Sequence, residues 1–146
     1  MNLTDIIDKI DYIDYTKNND DEITNVTNDS RKIEKGGVFV AISGMEFDGH
    51  KFIDKAIENG ANTIVVTQDT QKIEGINYIK VEDARIALAQ ISNVVCDFPS
   101  KKLRVIGVTG TNGKTTTASM ISHILEHLNS QCTNIGTNGT FIAKEK

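Results

Sequence analysis

The stretch Arg104-Val-Ile-Gly-Val-Thr-Gly-Thr-Asn-Gly-Lys-Thr-Thr-Thr117 constrains the fold of this chain more than any other, because an apolar β-branched run passes into a glycine-rich turn, a lysine and a helical pattern. Glycines at 107, 110 and 113 let successive backbone N–H groups converge on an anion at the first turn of a helix, where the macrodipole also favours negative charge. Lys114 adds a mobile cation for β- and γ-phosphates, and the Thr115 hydroxyl is of the kind that ligates Mg²⁺. Five residues, Val108 to Asn112, separate Gly107 from Gly113, where the common phosphate-loop spacing has four. The flanks support the same chemistry. Leu103 to Val108 reads as a buried strand, and Ala118, Ile121, Ile124, Leu125 and Leu128 follow at helical spacing. A merely flexible turn would explain the glycines and leave the lysine unexplained.

Composition narrows the remaining classes. With 146 residues, 38% of them hydrophobic, the chain has material for an ordinary core. A net charge of −4, with five Phe, three Tyr and no Trp, argues against a nucleic-acid surface. No apolar run approaches the ~20 residues of a membrane helix, and the start MNLTDIIDKID is acidic rather than signal-like, so a cytoplasmic protein is expected. Cys96 and Cys132 lack metal-ligand spacing and read as reduced, small apolar residues.

The first hundred residues alternate strand and helix. Leu3, Ile6, Ile7, Ile10 and Ile13 mark a short first helix, and Thr16 to Glu22 reads as a solvated loop whose Asp20-Asp21-Glu22 run is a polar surface. Strands are expected at Ile23–Val26, Val38–Ile42, Thr63–Thr67 and Ile76–Val81. Phe52, Ile53, Ala56 and Ile57 share one face of a helix that Gly60 ends, and Asp83 caps another with a stripe of Ala84, Ala87, Leu88, Ile91 and Val95. These elements suit a small two- or three-layer α/β domain over residues 1–100. Asp97-Phe-Pro-Ser-Lys-Lys102 holds the only proline and reads as a linker. Residues 101–146 then begin a nucleotide domain that is expected to be incomplete: after Lys114 there is room for one helix, a short strand at Thr133–Ile135 and a tail, and two parallel strands with one helix leave sheet edges unpaired.

Other motifs weigh less. His123-Ile-Leu-Glu-His127 has the order of an inverted zinc-peptidase motif, but a helical wheel turns His123, Glu126 and His127 away from the apolar stripe and toward water. Asn28-Asp-Ser-Arg31 follows a strand. Its short polar side chains can bind backbone or ligand and Arg31 can fork onto phosphate or carboxylate, although a local Asx or Ser turn with an exposed arginine explains it more simply. Gly44-Met-Glu-Phe-Asp-Gly-His50 is either a functional loop or a glycine-rich turn that Asp48 caps.

Taken in order, Asp29-Ser-Arg31, Gly37-Val-Phe-Val-Ala41, Gly44 with Asp48-Gly-His50, Gly60-Ala61 and Gly107 to Thr117 resemble the Mur ligases, the ATP-dependent amide-forming family of peptidoglycan precursor synthesis. The resemblance spans essentially the whole chain. Gly110-Thr-Asn-Gly-Lys-Thr-Thr116 followed by Ile135-Gly-Thr137 is similar to the branch that adds a diamino acid, meso-diaminopimelate or L-lysine; a MurF-type member and a non-catalytic UDP-sugar or ATP-binding module are the alternatives. The resemblance implies an N-terminal α/β domain holding the UDP end of UDP-MurNAc-L-Ala-D-Glu, at Asn28, Asp29, Ser30 and Arg31 and at Met45, Glu46 and Phe47. It implies a truncated central ATPase domain in which Gly110, Thr111, Asn112, Gly113, Lys114, Thr115, Thr116 and Thr117 bind ATP. There Lys114 is the catalytic cation on the β- and γ-phosphates and Thr115 the Mg²⁺ ligand. It further implies phosphoryl transfer to the D-Glu γ-carboxylate, attack of an amine on the acyl phosphate, and machinery absent from this stretch, so the stretch alone is expected not to catalyse.

Overall fold

The computed structural model describes residues 1–20, 22–44 and 48–142. They fall into two compact units, Met1–Leu103 and Arg104–Lys146. Met45, Glu46 and Phe47, expected at the substrate's UDP end, lie outside the described residues.

In the first unit a five-stranded sheet is built from β1 (Asp14–Thr16), β2 (Val26–Thr27), β3 (Gly37–Val40), β4 (Ala61–Val66) and β5 (Asn77–Lys80), in the spatial order β1-β5-β4-β3-β2. The run from β2 to β5 is parallel and β1 pairs with β5 antiparallel. Strand alternation sends Val38, Val40, Val65 and Ile79 to one face, where α1 (Leu3–Ile7) and α3 (Ala84–Val95) cover them with Leu3, Ile6, Ala87, Ile91 and Val94. Phe39, Ile64, Val66 and Tyr78 face the other side, where α2 (Ile53–Glu58) supplies Ile53 and Ala56. The result is a three-layer α/β sandwich, with both faces of its parallel part buried.

Several expectations shift. The first helix stops at Ile7, with Asp8 as its C-cap; Ile10 is still buried, while Ile13 is exposed and leads into β1. Thr16 to Glu22 is not simply a solvated loop. Thr16 pairs with Tyr78 as part of an edge strand, and the backbone N–H groups of Asn18 and Asn19 donate to the buried Asn77 side chain at 2.7 and 3.0 Å. The early strand lies at Val26–Thr27 rather than Ile23–Val26. Phe52 is exposed, in the 3-10 turn Gly49–Phe52 before α2, and in α3 Val94 takes the fully buried place that the pattern gave to Val95. No helix crosses from β4 to β5. The connection instead rests on Tyr78, whose hydroxyl accepts from the Ile73 N–H at 3.1 Å.

In the second unit, α5 (Lys114–His127) follows the glycine turn, and β6 (Thr133–Gly136) pairs antiparallel with β7 (Gly139–Ile142) across the two-residue turn Thr137-Asn138. Leu103–Val108 is not a buried strand: Val105 is 74% and Ile106 52% exposed, and neither lies in a ladder. A parallel strand is held by neighbours on both sides, and the described residues of this unit form a hairpin of their own instead. Within Asp97–Lys102, expected as a linker, Pro99–Lys102 forms one helical turn, α4.

Candidate functional site

In parallel α/β sheets, ligands seat beyond the carboxyl ends of the strands. Here that edge carries Asn28 and Asp29 after β2, Ile42 and Ser43 after β3, Thr67 after β4, and Glu82 and Asp83 after β5. Ile42, Ser43, Thr67, Glu82, Asp83, Ala84 and Arg85 line a shallow depression there, beside the first turn of α3. Asp83 caps that helix as expected: its Oδ1 accepts from the N–H groups of Arg85 at 2.7 Å and Ile86 at 3.1 Å.

The loop from Ser43 returns to the sheet through a tight crossing. Gly49 N–H donates to the Ile42 carbonyl at 2.9 Å, and a Cβ on Gly49 would stand 2.6 Å from Ile42 N, so only glycine fits. Ser43 and Asp48 form an isolated antiparallel bridge, and the Ser43 hydroxyl donates to Asp48 Oδ1 at 3.0 Å. Asp48 accepts from His50 N–H at 3.1 Å, and His50 Nδ1 lies 2.8 Å from the same carboxylate oxygen. The His50 side-chain and backbone hydrogen bonds, in that order, hold the Asp48 carboxyl below its usual pKa. At its other nitrogen, His50 Nε2 accepts from Thr67 N–H at 3.4 Å. His50 and Thr67 did not stand out among the sequence's site residues; the one available signal was the Asp48-Gly-His50 run closing a glycine-rich loop.

The Asn28–Arg31 motif adopts the local turn its residue types favour. Asp29 Oδ1 accepts from the N–H and Nε of Arg31 at 3.0 and 2.9 Å, its Oδ2 from Nη2 at 2.8 Å, and its carbonyl from Lys32 N–H. These bonds, the guanidinium's first, pull the Asp29 carboxyl down to about 2. Ser30 is buried, and its carbonyl accepts from Asn59 Nδ2 at 2.7 Å, next to the end of α2. Asn28 and the Arg31 side chain are exposed. None of these four residues lines the depression.

The glycine turn from Gly110 to Gly113 leads directly into α5. Gly113, at φ +76°, is the N-cap of α5, a left-handed position suited to glycine, and no side chain caps the helix. Lys114 Nζ folds back onto the carbonyls of Gly110 at 2.7 Å and Thr111 at 3.2 Å. Gly110, Thr111, Asn112, Gly113, Lys114, Thr115, Thr116 and Thr117 are all exposed around this turn. A helix start without a side-chain cap, beside a lysine that rests on two loop carbonyls, is a fitting cradle for phosphate oxygens, and Thr115 in the first turn is a hard oxygen donor suited to Mg²⁺. His123, Glu126 and His127 are exposed, and His127 Nδ1 donates to the His123 carbonyl at 3.0 Å. Among the described residues no three His, Cys, Asp or Glu side chains gather into a metal cluster. No helix of the described residues is long and apolar enough to cross a membrane.

Comparison with known proteins follows the same division. Residues 22–95 match the family model "Mur ligase family, catalytic domain" and residues 108–146 match "Mur ligase middle domain". The UDP-N-acetylmuramoyl-L-alanyl-D-glutamate–2,6-diaminopimelate ligase of Clostridium perfringens is 44% identical over 129 residues, covering 88% of this chain and 27% of that protein. A solved structure of a ligase of that same name overlays with a TM-score of 0.67 at 26% identity, covering 83% of this chain and 25% of the other. MurF from Acinetobacter baumannii overlays with a TM-score of 0.57 at 35% identity, over 71% of this chain and 22% of that one. The chain thus spans about a quarter of the length of the curated relatives it matches.

Proposed function

Because the chain belongs to the Mur ligase family, we propose that it is part of an ATP-dependent carboxylate–amine ligase that adds 2,6-diaminopimelate to UDP-MurNAc-L-Ala-D-Glu in the cytoplasm. The observation that carries this is the phosphate cradle: an uncapped helix start at Gly113 with Lys114 folded over the Gly110 and Thr111 carbonyls. ATP entering the cradle would take Lys114 from those carbonyls onto its β- and γ-phosphates, while the first-turn N–H groups of Lys114, Thr115 and Thr116 would face the anion; that of Thr117 is already bonded to the Gly113 carbonyl. Mg²⁺ at Thr115 would neutralise charge on the phosphate oxygens during phosphoryl transfer to the substrate's carboxylate. The amine then displaces phosphate from the acyl phosphate, giving the amide.

In the first unit the depression at the carboxyl edge is the seat proposed for the uridine end. Its lining joins hydroxyl and backbone groups of Ser43 and Thr67 to the carboxylates of Glu82 and Asp83 and a single cation, Arg85. Two acids beside one base disfavour a diphosphate in the depression itself, so the uracil and ribose lie within it and the diphosphate outside. Asn28, Asp29, Ser30 and Arg31 form the neighbouring rim after β2, and Ser30 acts through its anchored backbone.

Lys114→Ala in a ligase containing this stretch tests the cradle. Removing a single transition-state cation costs about 3 kcal/mol or more, a loss of at least about a hundredfold in kcat; near-normal turnover contradicts the assignment. The structural likeness to MurF supports a second reading, and parallel assays with 2,6-diaminopimelate and D-alanyl-D-alanine as acceptors separate the two.

A further inference from the structure

We propose that His50 is a positioning residue that shapes the uridine-end depression from behind by tying Ser43 to Thr67. This deepens the function proposed above and rests on it. The His50 side chain is only 6% exposed, so it does not itself reach a ligand in the depression. Its two ring nitrogens nevertheless meet two of the residues that line it: Nδ1 lies 3.3 Å from the Ser43 hydroxyl and Nε2 accepts from Thr67 N–H.

The chemistry of the partners fixes the tautomer. A backbone amide is only a donor, so Nε2 must be the acceptor, and Nδ1 carries the ring proton. That proton points to Asp48 Oδ1 at 2.8 Å, the oxygen that also receives the Ser43 hydroxyl and His50's own N–H. One carboxylate oxygen and one imidazole therefore join the end of β3 to the end of β4. Gly49 makes the arrangement possible by letting the returning chain lie against Ile42 without a Cβ clash. Without the imidazole, Thr67 N–H loses a buried acceptor and Ser43 is oriented by Asp48 alone, so the separation of the two lining residues is no longer fixed.

The test uses the 146-residue chain and UDP as the probe, with dissociation constants measured calorimetrically for the parent, His50→Leu, Ser43→Ala, the double variant and His50→Gln. His50→Leu should weaken UDP binding about tenfold. The double variant should bind no more weakly than His50→Leu, because both changes remove one coupled device. The glutamine carbonyl can accept from Thr67 N–H, so His50→Gln should recover binding to within about threefold of the parent; it also serves if the leucine variant does not fold. In the parent, ¹⁵N spectra of the imidazole should report a protonated Nδ1 and an unprotonated Nε2. Parent-like binding by both His50 variants, losses that multiply in the double variant, or a protonated Nε2 would each overturn the role of His50. A parent chain that does not bind UDP would instead overturn the uridine-end reading itself, and this inference with it.

Discussion

Three hydrogen bonds from Arg31 converge on the Asp29 carboxylate, which is why that group titrates near 2 rather than at the ordinary 3.8. A depressed folded-state pKa means that the pair's contribution is present above the ordinary value and is lost as pH falls from about 4 to about 2. Arg31→Ala removes the two guanidinium bonds and keeps the backbone one, so the Asp29 midpoint, followed by carboxyl-carbon NMR, should rise part of the way toward the ordinary value; a midpoint still near 2 would show that the guanidinium is not the main cause. The sequence showed Asp29-Ser-Arg31 as a motif and supplied the turn chemistry. It did not show that Arg31 would be engaged by its own motif, nor that Ser30 would be held through its carbonyl by Asn59, a residue 29 positions away. The importance of His50 was hidden for the same reason: Thr67, its partner at Nε2, lies 17 positions on, just past the end of β4.

Elements were legible wherever their signal is local. Asp83 before an apolar stripe at helical spacing defines the start of α3, and the cap is formed. Asp83→Ala should therefore cost about 1 kcal/mol, read as a lower urea midpoint with unchanged slope; an unchanged midpoint would mean that the two N–H groups find equivalent acceptors elsewhere. Where an element depends on a neighbour, the local signal failed. β1 is short and polar, with two of its three residues exposed, and it exists because β5 offers an edge to Asp14, Tyr15 and Thr16. Leu103–Val108 has the composition of a buried strand, and among the described residues no strand pairs with it. The pattern of α5 was read at the right period, yet Ile124 and Leu128 remain exposed because periodicity assigns a face and not its covering.

Across the whole chain the two units differ in how completely they bury themselves. Met1–Leu103 holds apolar clusters on both faces of its sheet, whereas no described residue from Arg104 onward is buried. The seat proposed for the uridine end thus lies in a unit with its own core, and the proposed phosphate cradle in one whose apolar residues Val105, Ile106, Ile135 and Phe141 are exposed. The most direct test of the central claim is an amide ¹H–¹⁵N titration of the chain with UDP-MurNAc-L-Ala-D-Glu. Saturable shifts are predicted at Ser43, Thr67, Asp83 and Arg85 and at the Asn28–Arg31 turn, with Asn62 and Asn77 at the opposite edge of the sheet unmoved. Saturating ligand that leaves the carboxyl edge unshifted, or shifts that centre on Asn62 and Asn77, would contradict the account.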